Sequence, residues 1–480
     1  MSARKHGSHH EGSALTVAEH RMLVETQLSP LPPVSCPILT ADPRDGALGT
    51  ILAADITAKL AVPPFTNSAM DGFGVRFEDI EHGTTLPVAG DIPAGDTVPH
   101  ELVAGTAWRI MTGARMPAGA DTVIKVEHTD HAPGISQAPS SVTIVEAAEV
   151  REAGPGANVR HAGENVQPGD PVLPAGTLLD AAGLSAATSA GYRELLVHPA
   201  PRVGVIATGT ELVDAGSALA AGQIPDSNSV LLQGLVNQAG GRVVAMVRSN
   251  DDPDHLRAAL AGWHDVDLVF TAGGISAGAY EVVRQVLANQ NPGGTSSAQG
   301  APTVDFHHVA QQPGGPQGIG RVRVGSGRTA CDVPVLCLPG NPVSVFVSFA
   351  VYGAGAIAML AGRAVSTEPD NFEVAAGSEW DSPGSKVQFM PLALSRNTSH
   401  VEVPTATPIH RLGSRSHLVA SLPLADGLGV VPVGVDHVAA GDRLRFIPTR
   451  VGMARPARPT QPAPTGLNAP ASTSTEQGRQ

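Results

Sequence analysis

Aromatic and basic side chains are scarce in this chain of 480 residues. Aromatic residues make up 3% of it, and its only lysines are Lys5, Lys59, Lys125 and Lys386. The formal net charge is -13. A nucleic-acid-binding surface needs a positive face and rings on which bases stack, so the composition argues against nucleic acid as a partner. An anion site between residues 201 and 363 has to use arginine and backbone N–H groups, because no lysine lies there.

Cysteine is equally rare. Cys36, Cys331 and Cys337 are odd in number and lack the close spacing of zinc-binding pairs. The sequence therefore indicates neither a disulfide framework nor a zinc site. The N-terminal segment contains histidines but no apolar stretch typical of a secretory signal. We expect a cytoplasmic protein whose thiols stay reduced.

Long apolar runs are limited to one, at residues 343–362. This run carries no charged side chain and has the length of a membrane span, roughly 20 residues. It is rich in small residues, and no basic clusters flank it. We therefore predict a buried helix and no membrane association.

Glycine and proline, in contrast, are abundant, with 54 and 41 residues. Single cores stop growing at about 250–300 residues, so several domains are expected. The polar ends contain too few apolar residues to fold, and short strands between turn residues predict β-domains on both sides of an α/β region. The predicted parts are disordered tails at 1–15 and 450–480, a discontinuous linker domain at 16–76 and 151–199, an inserted small β-barrel or sandwich at 77–150, an α/β domain at 200–371 and a C-terminal β-domain at 372–449.

In the α/β region predicted strands alternate with predicted helices, among them a strand at 202–208 and a helix at 253–262. This order is typical of a mostly parallel, doubly wound sheet with helices on both faces. Ligands of such sheets bind beyond the carboxyl ends of the strands. The turns that follow three of the strands, at 208–211, 273–278 and 339–342, are therefore expected to line one site.

The turn at 273–278 is rich in glycine. Gly273, Gly274 and Gly278 can take positive φ and let a ligand approach bare backbone N–H groups. A predicted helix follows, and its N-terminus adds unsatisfied donors and partial positive charge. A phosphate or another oxyanion is the natural ligand of this arrangement.

The same turn allows two other interpretations, both centred on Ser276. Gly274-Ile-Ser-Ala-Gly278 matches the nucleophile elbow of serine hydrolases, and Asp305 or Asp332 with His410 would complete the order Ser, Asp, His. Alternatively, Ser276 caps the following helix in an ordinary tight turn.

Seven motifs along the chain decide between these interpretations. They are Asn67-Ser-Ala-Met-Asp-Gly72, Arg109-Ile-Met-Thr-Gly113 with Gly119-Ala-Asp-Thr122, Gly163-Glu-Asn165, Gly209-Thr-Glu-Leu212, Gln223-Ile-Pro-Asp-Ser-Asn-Ser229, Gly273-Gly-Ile-Ser-Ala-Gly278 and Leu338-Pro-Gly-Asn-Pro342. In these motifs and their order, the sequence from 15 to 450 resembles the molybdopterin molybdenumtransferase family, also called MoeA and represented in animals by the E domain of gephyrin.

The resemblance implies an enzyme that inserts molybdenum from molybdate into adenylylated molybdopterin and releases AMP and the molybdenum cofactor. It also implies Mg²⁺ and an upstream molybdopterin adenylyltransferase as the source of the substrate. The implied subunit has four domains, with a MogA-like molybdopterin-binding α/β domain. It works as a homodimer in which the N-terminal domains of one subunit complete the active site of the other.

Site residues follow from the resemblance position by position. Asp71, Thr112 and Glu211 are the expected catalytic residues, and Asp71, Glu211 and Glu281 are the expected Mg²⁺ ligands, since Mg²⁺ prefers oxygen. Glu211 as a helix cap and Thr112 as an ordinary turn hydroxyl are the alternatives. The expected substrate-binding residues are Thr208, Gly209, Asp226, Ser227, Gly273, Gly274, Ser276, Gly278, Pro339, Gly340, Asn341 and Ser344.

Four positions depart from the family pattern. Ala279 stands where an aspartate is usual, with Glu281 two residues later, and Asn165 also replaces an aspartate. Gln312 and Gly315 replace lysines. A metal-assisted reaction on an anionic substrate loses part of its electrostatic support by these changes.

Two outcomes of these departures are open. Either Glu281 and arginines such as Arg284 or Arg321 take over the missing roles, or the protein binds the pterin without turning it over and serves as a binding protein or scaffold. We expect retained activity, because Asp71 and Glu211 are intact.

Overall fold

The computed structural model describes residues 14–42, 45–134, 137–276, 281–288, 303–363, 372–395 and 403–449. The described residues form two compact units. The N-terminal unit comprises Ser29–Ala200 and Leu360–Ala364, and the main unit comprises Met1–Leu28, Pro201–Met359 and Val365–Gln480. The predicted disordered tails, 1–15 and 450–480, lie outside the described residues except for residues 14 and 15.

Leu15 belongs to the main unit rather than to a disordered tail. Its backbone N–H donates to the His308 carbonyl over 2.9 Å. Helix α1 (Val17–Thr26) follows and begins with a capping box, in which the Thr16 hydroxyl accepts from Glu19 N–H and the Glu19 carboxylate accepts from Thr16 N–H. This reciprocal pair satisfies two donors that a helix start leaves free.

The N-terminal unit consists of short strands and two helices. They are β1 (Val34–Pro37), β2 (Ile51–Leu52), β3 (Ile56–Thr57), β4 (Asn67–Ser68), β5 (Gly72–Val75), β6 (Thr85–Ile92), β7 (Ala107–Ile110), β8 (Thr122–Lys125), β9 (Ser141–Thr143), α2 (Ala148–Ala153), β10 (Val159–Arg160), β11 (Pro171–Leu173), α3 (Ala181–Ser189) and β12 (Glu194–His198). Pairings β1-β12-β2, β11-β3 and β10-β4 join the first part of this unit to its last part.

A five-stranded sheet in the order β8-β5-β7-β6-β9 lies between those two parts. Its core is apolar and includes Phe73, Val75, Ile124 and Ile144. The sheet takes in β5, which the predicted boundary at 77 leaves outside. Strand β5 is short and glycine-rich, so its sequence pattern alone does not show its membership.

The main unit contains a six-stranded α/β sheet. In chain order, the strands and helices of this part of the chain are β13 (Arg202–Thr208), β14 (Leu212–Val213), β15 (Ile224–Pro225), α4 (Ser227–Gln238), β16 (Arg242–Ser249), α5 (Pro253–Gly262), β17 (Leu268–Ala272), α6 (Val282–Leu287), β18 (Val304–His308), β19 (Gln311–Gln312), β20 (Pro316–Val324), β21 (Cys331–Leu338), α7 (Pro342–Ser348) and α8 (Ala354–Leu360). Strands β14 and β15 pair with each other, and β19 pairs with a later strand.

The order of this sheet is β16-β13-β17-β21-β20-β18. Neighbours among β16, β13, β17 and β21 are parallel, whereas β20 pairs antiparallel with both β21 and β18. The mostly parallel sheet predicted from the sequence is thus present. Helix α4 packs against α7, and α5 packs against α6. The antiparallel edge arises because β20 and β21 are joined by a short turn, which cannot make a parallel crossover.

The apolar run forms the predicted helix. It extends over Pro342–Leu360, with a wider π-helical turn at Phe349–Gly353 between α7 and α8. Its length and composition would suit a membrane span, but 72% of it is buried inside the protein. Burial of this kind is typical of the core helix of a folded domain.

The last part of the main unit is a closed β-barrel. The strands of this part are β22 (Phe372–Ala376), β23 (Trp380–Asp381), β24 (Val387–Leu394), β25 (Thr405–Pro408), β26 (Gly427–Val431), β27 (His437–Val438) and β28 (Arg443–Pro448). Strands β23 and β27 form a separate two-stranded sheet, and the other five form the barrel. The order β24-β25-β22-β28-β26 returns to β24, because β24 also pairs with β26. Val374, Leu392 and Phe446 fill the interior.

Candidate active site

Three parallel strands of the main unit end at the same edge of the sheet. The register sets Ala207 of β13 beside Ala272 of β17, and Ala272 beside Leu338 of β21. The next residues along each strand are the predicted site turns. A Cβ atom placed on Gly273 would lie 2.9 Å from Thr208 Oγ1 and 3.8 Å from Gly340 Cα. The structure therefore brings the turns after all three strands together.

The turn after β17 requires glycine at two successive positions. Gly273 and Gly274 have φ angles of 93° and 67°, which side chains disfavour. A Cβ on Gly274 would also approach Thr208 Oγ1 to 2.8 Å. Bare backbone therefore faces the Thr208 hydroxyl, and that hydroxyl is buried without a hydrogen-bond partner among the described residues.

Glu211 folds back over the turn after β13. Gly209 has a φ of 147°, and a Cβ there would lie 2.5 Å from Glu211 Oε2. The Glu211 side chain is exposed, and its carbonyl accepts from Ile224 N–H over 2.9 Å. A strand, β14, follows Glu211 directly. The helix-cap alternative for Glu211 is therefore wrong, and its carboxylate is open to a ligand beside the strand ends.

Asp226 is committed to the start of α4. Its Oδ1 accepts from Ser229 N–H over 3.0 Å, and its Oδ2 accepts from the Ser229 hydroxyl over 2.6 Å. Such an N-cap satisfies the first turn of the helix. Ser227 is half-buried at the first helical position. Of these two predicted binding residues, Asp226 thus has a structural task as well.

Asn228, which the sequence pattern does not single out, lies one position further along α4. Its side-chain Nδ2 donates to the Gly340 carbonyl over 2.6 Å. This bond ties α4 to the turn after β21. The only sequence signal for Asn228 is its place in the motif ending at Ser229.

The turn after β21 leads into α7. Pro339 is buried, while Gly340 and Asn341 are exposed. Asn341 is the N-cap residue, yet its side chain makes no capping hydrogen bond. Ser344, in the first turn of α7, is buried. The Asn341 amide is thus available to a ligand at the helix N-terminus.

The predicted residues after Gly274 are only partly described. Ser276 is exposed, and Gly278 and Ala279 lie outside the described residues. Helix α6 begins after Glu281, which is its N-cap residue, so Ser276 does not cap α6. Glu281 is half-buried, and its side chain makes no capping hydrogen bond.

Two of the departures from the family pattern lie close together, Gln312 at the end of β19 and Gly315 just before β20. Gln312 belongs to β19 and pairs with Gln388 of β24. A Cβ on Gly315 would lie 2.5 Å from the His308 ring. An imidazole therefore occupies the space beside position 315. The third departure, Asn165, is exposed in the N-terminal unit.

The N-terminal unit contains the other predicted catalytic pair. Asp71 Oδ1 accepts from the Thr112 N–H over 2.6 Å and from the Thr112 hydroxyl over 2.7 Å. These hydrogen bonds, first from the backbone and then from the side chain, lower the pKa of Asp71. The carboxylate is therefore held in its ionised form.

Asp71 lines a cleft of about 400 Å³ in the same unit. Arg109, Met111 and His131 are among its other lining residues. The Arg109 guanidinium binds both oxygens of the Asp91 carboxylate, at 2.9 and 2.5 Å, and this hydrogen bonding raises the pKa of Arg109. Asp91 offsets much of the positive charge that Arg109 brings to the cleft.

The geometry does not support a Ser-Asp-His triad on Ser276. Asp332 lies near the start of β21, about 20 Å along the strand from the end that carries the site. Asp305 lies on β18, which two strands separate from β17. His410 Nδ1 accepts from Leu412 N–H over 3.1 Å in a local turn.

No group of three His, Cys, Asp or Glu side chains in the described parts of the chain is arranged to hold a metal ion. Mg²⁺ is commonly bound by one or two carboxylates, water and the phosphates of a substrate. A single open carboxylate such as Glu211, beside a phosphate-binding turn, is compatible with that mode. The residues present fit Mg²⁺ that arrives with a phosphorylated substrate.

Family models match most of the chain. The "MoeA N-terminal region (domain I and II)" matches residues 15–191, the "Probable molybdopterin binding domain" matches 204–358, and the "MoeA C-terminal region (domain IV)" matches 373–449. The three turns of the strand-end site all lie within the second match.

Individual relatives agree with these matches. Molybdopterin molybdenumtransferase 2 of Mycobacterium tuberculosis (strain CDC 1551 / Oshkosh) is 38% identical over 437 residues, which are 90% of this chain and 98% of the relative. Molybdopterin molybdenumtransferase of Nostoc sp. (strain PCC 7120) is 32% identical over 82% and 85% of the two chains. The crystal structure of a molybdopterin biosynthesis moeA protein from Pyrococcus horikoshii covers 92% of this chain and all of its own, at 25% identity and a TM-score of 0.67.

Proposed function

The chain belongs to the molybdopterin molybdenumtransferase (MoeA) family, and from this premise we propose that it inserts molybdenum from molybdate into adenylylated molybdopterin, releasing AMP and the molybdenum cofactor. The observation that carries the proposal is the convergence of Thr208, Gly273 and Gly340 at one edge of the sheet. Bare backbone and a buried, unpaired hydroxyl suit a multiply anionic ligand. The scarcity of lysine is no obstacle to such binding.

Mg²⁺ forms part of the proposal. Glu211 is the expected first ligand, with Asp71 and Glu281 as the others. When bound, the ion supplies neutralisation of charge on the phosphoanhydride. Thr208 and the glycine turns hold the phosphates, and Thr112, Ser276 and Ser344 offer hydroxyl donors to molybdate or phosphate oxygens.

We also propose that the active site is shared in a homodimer. The Asp71–Thr112 pair of one subunit would act on the substrate held at the strand ends of the other. Mixing Asp71→Asn with Glu211→Gln protein tests this, because only mixed dimers then contain an intact shared site. Recovery of about a quarter of the wild-type rate is expected from random pairing in twofold dimers. Failure of the mixture to exceed either variant alone would contradict a shared site.

The remaining parts of the proposal concern the setting of the enzyme. An upstream molybdopterin adenylyltransferase supplies the substrate, because the reaction begins from an adenylylated pterin. A cytoplasmic location is supported by the free thiols of Cys36, Cys331 and Cys337, since reduced thiols are typical of that compartment.

The decisive experiment measures AMP release. Purified protein is incubated with adenylylated molybdopterin, Mg²⁺ and molybdate, and AMP is quantified with and without molybdate. Molybdate-dependent release is the expected result. Tight pterin binding without AMP would instead establish the binding-only alternative raised by Ala279, Asn165, Gln312 and Gly315. Absence of both binding and AMP would remove the proposed function.

A further inference from the structure

Asn228 presents an unusual hydrogen-bonding situation at the strand ends. The residue is 7% exposed, and its Nδ2 donates to the Gly340 carbonyl over 2.6 Å. Its Oδ1 is buried and has no hydrogen-bond partner among the described residues. Buried amide oxygens are nearly always paired, so an orphan of this kind calls for a reason.

The orientation of this amide is fixed by its own contact. Rotating the side-chain amide by half a turn would set Oδ1 against the Gly340 carbonyl oxygen, and two acceptors at that distance repel each other. The bond to Gly340 therefore leaves Oδ1, the acceptor, as the unpaired atom. Only an incoming N–H or O–H group satisfies it.

A second orphan lies at the same strand ends. Thr208 Oγ1 is also buried and unpaired, and it adjoins the Gly273 backbone, which in turn faces Gly340. Gly340 is the residue that Asn228 holds. Two unsatisfied polar side chains therefore flank one pair of facing glycines, which have no Cβ atoms between them. Gly340 itself is exposed to solvent.

We infer that Asn228 is a substrate-binding residue whose Oδ1 accepts a hydrogen bond from an N–H or O–H group of the adenylylated pterin. The inference rests on the proposed function and adds to it a residue and a chemical preference. Such a donor is present on the pterin ring and on the ribose of the adenylate. Asn228 thus favours a ligand that brings a donor as well as phosphate charge.

The test compares three ligands on the full-length protein. Affinities for adenylylated molybdopterin, molybdopterin and AMP are measured by calorimetry for wild type, Asn228→Ala and Asn228→Asp. Asn237→Ala serves as the control, because Asn237 is exposed on the same helix. Thermal unfolding of each variant is recorded in parallel.

Asn228→Ala should lower the affinity for adenylylated molybdopterin roughly tenfold or more, because the acceptor of one hydrogen bond to the ligand is lost. The variant should also lower the affinity for whichever of molybdopterin and AMP carries the hydrogen-bond donor. The affinity for the other ligand should stay unchanged. Asn228→Asp keeps an acceptor but loses the bond to Gly340 and adds negative charge, so all three anions should bind less tightly.

Unchanged affinities in Asn228→Ala would overturn the inference. An equal loss for all three ligands in Asn228→Ala would overturn it too, because that pattern indicates only a displaced turn. If Asn228→Ala does not fold, wild-type affinity in Asn228→Asp is the overturning result. The proposed function fails separately, when the wild-type protein itself binds no adenylylated molybdopterin.

Discussion

Asp71 and Thr112, 41 residues apart in the sequence, are joined by two hydrogen bonds that end on the same carboxylate oxygen. Asp71 Oδ2 has no recorded partner in the described part of the chain. One oxygen thus fixes the carboxylate, and the other is left for a ligand. The backbone bond and then the hydroxyl bond from Thr112 lower the pKa of Asp71.

Replacing Thr112 by valine should distinguish the contribution of the hydroxyl hydrogen bond from that of the backbone hydrogen bond. The variant keeps the N–H donor and the side-chain shape but loses the hydroxyl, so the pKa of Asp71 should rise towards its ordinary value. A hydrogen bond to a charged group is worth about 1.5–3 kcal/mol, so AMP release should fall by roughly tenfold or more if the bond acts in the transition state. Thr85→Val, in a cross-strand threonine pair with Thr143, is the matched control.

The pH dependence has a definite sign. The pKa of Asp71 in the folded protein is lower than its ordinary value of 3.8. The hydrogen bonds to its carboxylate therefore stabilise the fold fully at pH values above 3.8. This stabilisation is lost as the pH falls through the lowered pKa. In the Thr112→Val variant, the pH below which AMP release declines should be higher than in the wild-type protein. An unchanged value would show that Asp71 does not control this decline.

Gly72 and Gly74 offer a matched pair on strand β5. A Cβ on Gly72 would lie 1.9 Å from the Ile124 carbonyl oxygen, far inside van der Waals contact, whereas a Cβ on Gly74 meets Pro117 at an ordinary 3.7 Å. Gly72→Ala should therefore lower the free energy of unfolding by about 3 kcal/mol, as in severe overpacking. Gly74→Ala should leave it nearly unchanged. Urea unfolding of both variants measures the difference, and equal stabilities would contradict the close approach of β5 and β8.

His20 should make the main unit sensitive to acid. The ring packs edge-on against Tyr352 and His307, and burial, with a smaller effect from His307, lowers the pKa of His20 from 6.5 to about 4. Between these values the unfolded chain binds more protons, so stability falls as pH drops from 6.5 to 4. The total loss is about 3 kcal/mol for a shift of this size.

Unfolding free energies at several pH values check this expectation. His20→Phe keeps a ring in the cavity and should flatten the pH dependence below 6.5. The exposed His264 supplies the control, since His264→Gln should keep the wild-type slope. A His20→Phe protein as acid-sensitive as wild type would rule out this histidine as the cause.

Ser276 distinguishes a molybdenum insertion site from a hydrolase. It is exposed beside the glycine turn, and the candidate acids Asp305 and Asp332 lie away from the end of β17 that carries it. A fluorophosphonate probe should leave Ser276 unmodified, because within the described part of the chain its hydroxyl is hydrogen-bonded to no general base. Ser276→Ala should lower AMP release no more than the loss of one neutral hydrogen bond, roughly tenfold. Mass-spectrometric labelling of Ser276 would restore the hydrolase interpretation.

Sequence patterns predicted the α/β elements best. The strand Arg202–Thr208 and the helix Pro253–Gly262 have the predicted bounds, because one is a continuous apolar run and the other starts with an aspartate cap followed by proline. Strand direction was beyond such patterns. The pattern of strand β20, in which Arg321 and Arg323 alternate with valines, does not by itself fix whether its neighbour is parallel or antiparallel.

The site was predictable as a set of turns but not as a set of contacts. The carboxyl-end rule brings Thr208, Gly273 and Gly340 together without a structure. The roles inside the set depend on side-chain partners that no spacing reveals. Asp226 has both its oxygens in a cap, and Asn228 has one atom paired and one orphaned.

The closed barrel of five strands near the C-terminus affects the tendency of the protein to aggregate at high concentration. In an open sheet the outermost strands offer rows of unmatched N–H and C=O groups, to which another chain can add. Pairing between β24 and β26 removes such outer strands from this sheet. Variants that weaken the pairing between β24 and β26 should precipitate on storage before the α/β domain unfolds.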